Sequence, residues 1–149
     1  ARIGSLLLLG RPRLFGLLGR DETLTIPWAD IERIGLDNQQ LRNGGGYDHN
    51  WVIDRKTESG IEQVATVWEP ASGRTIEVLS DQPGLQVYSG NFFDGKSIGK
   101  YGKPQRYRES LALETQKFPD SPNHDNFPST VLRPGETYTQ VCIYKFGVK

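Results

Sequence analysis

Three polar side chains in this 149-residue chain stand in settings where they could do chemistry on a ligand: the carboxylates of Glu114 and Asp48 and the amide of Gln86. In SLALETQ a period of two puts Leu111, Leu113 and Thr115 on one face of a strand and Ala112, Glu114 and Gln116 on the other. The first set reads as core. The second presents a carboxylate between a small residue and an amide, which suits either the floor of a polar cleft or the solvent side of an edge strand. Gln86 shares its face with Tyr88, opposite Leu85 and Val87. An aromatic beside an amide fits a sugar, whose CH faces pack on rings while its hydroxyls need both donors and acceptors. Asp48 follows Gly44, Gly45 and Gly46, which permit positive φ and close backbone approach. That loop either holds the carboxylate against a ligand or is a simple turn.

These side chains need rigid elements behind them, and from about residue 47 the chain reads as short strands separated by turn chemistry. Expected strands are Trp51–Asp54, Ile61–Trp68, Thr75–Ser80, Gln86–Tyr88, Ser110–Gln116 and Thr137–Phe146. Glu69-Pro70-Ala71-Ser72-Gly73 reads as a hairpin loop. Gln82-Pro83-Gly84 and Arg133-Pro134-Gly135-Glu136 each place Pro before Gly, as a type II turn requires. Strands about ten residues apart with such turns predict an all-β fold, an antiparallel β-sandwich. In the last strand Val141, Ile143 and Lys145 alternate with Gln140, Cys142, Tyr144 and Phe146; apolar groups on both faces predict a central position. Segments 94–109 and 117–130 read as long loops.

Composition narrows the partners. Eighteen basic residues balance eighteen acidic ones, so no net charge draws the chain to nucleic acid or to an anionic membrane. A small neutral molecule fits better. The lone cysteine, Cys142, lies in an apolar alternating run and reads as a small core residue; a single thiol fits a reducing compartment, the cytoplasm. The first residues hold two apolar clusters, Leu6–Leu9 and Leu14–Leu18, each far short of the roughly 20 residues that span a bilayer. They also lack a clear small-x-small cleavage site. Residues 1–30 are therefore an unassigned segment and 31–149 the domain proper. The chain has no methionine and starts at Ala1, which reads as a piece of a longer product.

Taken together, three segments resemble a known family in order and spacing. GGYDHNWV is similar to the Gly-Tyr/Phe-Asp-His-Asn motif of the aldose 1-epimerases, the galactose mutarotases. PGLQVYSGNF resembles their Pro-Gly-x-Gln-x-Tyr-x-Gly-Asn-Phe motif, and LETQKFPDSPN their Leu-Glu-x-Gln-x-x-Pro-Asp motif. LRPGETY at 132–138 looks like the family's closing turn, and the likeness runs from about Ile31 to the C-terminus. The resemblance implies the C-terminal part of a mutarotase-type β-sandwich that interconverts the α and β anomers of an aldohexose. It makes Glu114 the general base and Asp48 and Gln86 the sugar-holding residues, with no metal or other cofactor. It also implies an acid histidine from an N-terminal half. Neither His49, in the Asp-His motif and read as structural, nor His124, read as a loop residue, matches that position. The isolated chain is then expected to be inactive and to self-associate through exposed sheet edges. The alternative is a noncatalytic carbohydrate-binding domain of the same fold. Lys96, Lys100 and Lys103 read as solvated surface rather than a phosphate site.

Overall fold

A computed structural model of the chain describes residues 45–149 in full, together with the strand backbones of residues 5–8, 10–11 and 24–27. The rest of the N-terminal clusters and Gly44 lie outside the described residues. Nine strands are present among them: β1 (Ser5–Leu8), β2 (Gly10–Arg11), β3 (Leu24–Pro27), β4 (Asp48–Ile53), β5 (Glu62–Trp68), β6 (Arg74–Ser80), β7 (Gly84–Tyr88), β8 (Ala112–Gln116) and β9 (Cys142–Val148). One sheet has the order β3-β1-β5-β6-β9 and the other β2-β4-β7-β8, with every pairing antiparallel. Three strands thus come from the segment that the sequence leaves unassigned. Among the described residues no helix is long and apolar enough to cross a membrane.

The two sheets close over one core, as alternation predicts. Trp51 and Ile53 of β4, Leu85 and Val87 of β7 and Leu113 of β8 meet Val64, Ala65 and Val67 of β5 and Val78 of β6. Val64 and Ala65 are consecutive yet both buried, because the β5–β6 register shifts between Gln63 and Ala65 and the inserted Val64 turns inward. The hairpin loop between β5 and β6 forms as expected: Gly73 takes φ +70° and Glu69 N–H donates to Arg74 O at 2.9 Å. Hydrogen bonds from Ser72 and from the Ala71 N–H hold the Glu69 carboxyl below its usual range.

Arg133-Pro134-Gly135-Glu136 is a type II turn, with Gly135 at φ +87° and Glu136 N–H donating to Arg133 O at 3.0 Å. Gln82-Pro83-Gly84 is not. Gly84 opens β7 with no positive φ, and its need for glycine is spatial: a Cβ there would lie 2.6 Å from Asn50 Oδ1 and 3.1 Å from Gln116 O.

The last strand also departs from expectation. Among the described residues β9 pairs only with β6 and ends its sheet, so the predicted central position is wrong. Its apolar groups on both faces are exposed, with Phe146 and Val148 at 78% and 79%. A two-faced apolar pattern tells that a strand can be covered on both sides, not that anything covers it. Cys142 alone packs partly against the core. The open side of the sandwich is bridged by side chains: Tyr144 Oη donates to Leu113 O and Gln140 Nε2 to Thr115 O, capping outward carbonyls of β8.

Candidate functional site

The outer face of the β4-β7-β8 sheet gathers the three residues singled out from sequence. Register lines up Asn50 of β4, Gln86 of β7 and Glu114 of β8 in one row, with Asp48, Tyr88 and Ala112 in the next. Side chains directly opposite on adjacent strands have Cβ atoms about 4.5–5.5 Å apart, so Gln86 and Glu114 are immediate neighbours. Gln86 Nε2 donates to Asp48 Oδ1 at 2.8 Å. Gln86 is half-buried, while Asp48 and Glu114 are exposed. The alternate positions Leu85, Val87, Leu113 and Thr115 are all buried. Their burial locks the strands and fixes which way the polar set points.

Asp48 is held by more than its strand. Tyr47 N–H donates to Ser89 Oγ at 3.0 Å, Ser89 Oγ donates to Asn91 Oδ1 at 2.6 Å, and Asn91 Nδ2 donates to Tyr47 O at 2.8 Å. Ser89 and Asn91 are buried, so this ring of bonds is shielded from water. Gly45, at φ +63°, turns its carbonyl toward the loop that follows β7, where it accepts from Tyr107 Oη at 2.8 Å and from the Arg108 guanidinium. Residues 45–48 are therefore a pinned turn rather than a loose one, clamped by Ser89 and Asn91 of YSGNF and by Tyr107 and Arg108.

Tyr88 stands on the same face as Gln86. Its ring stacks on Phe92 with centroids 6.0 Å apart, and its Oη accepts from Phe92 N–H at 2.9 Å. Phe92 is 67% exposed, leaving an aromatic surface beside Asp48. These two rows carry no Lys or Arg. Lys96 instead pairs with Asp94 at 2.8 Å in solvent, and Lys100 lies over the Tyr101 ring.

Neither histidine lies in these two rows. His49 falls in the row of Val87 and Leu113, the core-side set; its Nδ1 accepts from Asp48 N–H at 3.0 Å, and its ring meets Tyr47 edge-on. His124 pairs through Nε2 with Asp120 Oδ2 at 3.1 Å and packs on Phe127. Among the described residues no group of three or more His, Cys, Asp or Glu side chains is arranged to hold a metal ion.

Sequence reasoning missed Asn50, Ser89, Asn91 and Arg108. The first three lie inside the quoted motifs, but their contacts join points about forty residues apart, and no local period reports that. Arg108 sits 7% exposed in a loop rich in charge, with nothing nearby in sequence to mark it as buried.

A family model described as Aldose 1-epimerase matches residues 24–145. The chain is 45% identical over 103 residues to galactose mutarotase of Mus musculus and 43% identical over 103 residues to that of Homo sapiens, covering 69% of this chain and 30% of each relative. It is 36% identical over 113 residues to aldose 1-epimerase of Escherichia coli (strain K12), covering 74% of this chain and 32% of that one. The chain thus spans about a third of the length of these curated relatives. A crystal structure described as a GalM/aldose epimerase homologue from C. elegans superposes with TM-score 0.69 at 24% identity, covering 98% of this chain and 44% of that one; the likeness is one of fold.

Proposed function

The chain belongs to the aldose 1-epimerase family, and from that premise we propose that the outer face of the β4-β7-β8 sheet binds an aldohexose such as glucose or galactose and serves the interconversion of its α and β anomers. In this reading Glu114 takes the proton of the C1 hydroxyl. The O–H electron pair becomes the second bond of a C1 carbonyl, the bond from C1 to the ring oxygen breaks, and an acid protonates that oxygen. Rotation about the bond to C2 and closure on the other face reverse both transfers. No metal or redox cofactor takes part. A positioned base contributes about 10²–10⁴-fold, and Asp48 and Gln86 supply the positioning by holding ring hydroxyls.

The observation that carries this reading is the joined set on one face: Gln86 bonded to Asp48 and in register with Glu114. The absence of basic residues from those rows supports a neutral sugar over a sugar phosphate. The acid is the unfilled role. His49 and His124 are the only histidines of the chain, and neither lies in those rows: His49 is on the core side and His124 pairs with Asp120. The isolated chain therefore catalyses little, and the acid comes from outside these 149 residues. That same observation favours a second reading, a noncatalytic sugar-binding domain. The edge of β9, unpaired among the described residues, and its exposed apolar faces support self-association, and the half-buried lone Cys142 fits a reducing, cytoplasmic setting.

Polarimetry on freshly dissolved α-galactose separates the two readings. Acceleration that disappears in Glu114→Gln supports the epimerase, and sugar binding without any acceleration supports the binding domain. Full epimerase activity from a verified 149-residue monomer would contradict the assignment of the acid to a source outside the chain.

A further inference from the structure

We infer that Asn50 is a further sugar-binding residue, acting with Gln86 as a donor–acceptor pair that takes a ring hydroxyl between them. This rests on the reading of the outer sheet face as a sugar site. Asn50 shares the cross-sheet row of Gln86 and Glu114. Two polar atoms in that row, Asn50 Nδ2 and Gln86 Oε1, are buried and have no hydrogen-bond partner. One is a donor and the other an acceptor. Leaving a buried amide group unpaired is costly, so a protein keeps two side by side where something else completes them.

The orientation of each amide is set by its neighbours. Gln86 gives its Nε2 to Asp48 Oδ1 at 2.8 Å, which leaves Oε1 for a different donor. Asn50 lays Oδ1 over Gly84, where even a Cβ would come within 2.6 Å of it. A glycine at the start of β7 thus makes room for the Asn50 side chain, and Nδ2 is the end left over. The chemistry of the missing partner follows. A carboxylate or phosphate oxygen can satisfy Asn50 Nδ2 but not Gln86 Oε1, and an ammonium can do only the reverse. A hydroxyl both donates and accepts, so it satisfies both.

Titration calorimetry of the 149-residue chain with D-galactose and its monodeoxy analogues tests this. One deoxy sugar is expected to bind the unsubstituted chain about 3–10-fold more weakly than galactose, the range for one net hydrogen bond. In Asn50→Ala that discrimination shrinks, because the hydroxyl keeps only its bond to Gln86 Oε1. Asn50→Leu, similar in size and without a donor, is expected to shrink it likewise, and it serves if the alanine variant is poorly folded by circular dichroism. Galactose binding in which both variants keep every deoxy discrimination of the parent chain overturns the role of Asn50 while leaving the sugar site standing. Failure of the unsubstituted chain to bind galactose overturns both.

Discussion

Replacing Gly46 by alanine strikes at the ring of buried bonds that fixes Asp48. Gly46 has no positive φ, so alanine is permitted by the backbone, and in open space the change would stabilise by about 0.4–1 kcal/mol through the unfolded chain. The space is not open. A Cβ at position 46 would lie 2.2 Å from Asn91 Oδ1, 2.8 Å from its Cγ and 2.9 Å from Ser89 Oγ. Asn91 is 8% exposed and Ser89 fully buried, so neither side chain can swing into solvent. To admit the methyl group, Asn91 must leave Ser89 Oγ, and its donation to Tyr47 O at 2.8 Å goes with it. Overpacking costs about 1–3 kcal/mol, and each net hydrogen bond adds about 0.5–1.5 kcal/mol. After the backbone gain is subtracted, the expected loss is about 1–5 kcal/mol. Urea denaturation with an unchanged slope measures it. In the double variant Gly46→Ala/Asn91→Ala the loss is expected to be smaller than the sum of the singles, because the second change removes the obstacle. Stability of Gly46→Ala within about 0.5 kcal/mol of the parent would refute the reasoning.

Two further outcomes concern pH. The Glu62 carboxyl, which accepts from the Thr57 hydroxyl and from the Lys56 and Thr57 N–H groups with Arg55 3.5 Å away, is lowered from 4.5 to about 2. A lowered carboxyl stabilises the fold above its usual value, and that contribution is lost as pH falls through about 2. Carbon-detected NMR should find the Glu62 midpoint near about 2 and higher in Thr57→Val, and a parent midpoint at 4.5 contradicts the bonding. Tyr144 is pushed up from 10.0 to about 12, by burial first and then by hydrogen bonding and charge from Cys142 and by the charge of Glu114. Its neutral form donates to Leu113 O. That bridge from β9 to β8 is fully present below pH 10 and fades as pH rises through about 12. Tyr144→Phe should cost about 0.5–1.5 kcal/mol at neutral pH and flatten the alkaline loss, read by denaturation across that window.

The parts of the fold written in single-strand alternation were legible. Leu85 and Val87 are buried with Gln86 and Tyr88 on the other side, and Leu113 and Thr115 are buried with Glu114 outward, as a period of two dictates. What alternation cannot report is the neighbour. Ile143, Tyr144 and Phe146 have the pattern of a strand covered on both faces, yet β9 is an edge among the described residues. Gly84 looked like a turn residue because Pro83 precedes it, whereas it is glycine so that Asn50 can cross β7. The candidate site was legible as motifs in order. Its physical unity, Gln86 on Asp48 and Ser89 with Asn91 on Tyr47, depends on register between β4 and β7, which is set by packing rather than by any local stretch.

A crystal structure of the chain with bound D-galactose tests the central claim most directly. The account predicts the sugar on the outer face of β4, β7 and β8, its C1 hydroxyl about 2.6–3.2 Å from a Glu114 carboxylate oxygen and its ring hydroxyls on Asp48 and Gln86. A sugar bound instead against the loop that carries Lys96, Lys100 and Lys103, or one with C1 turned away from Glu114, would contradict it.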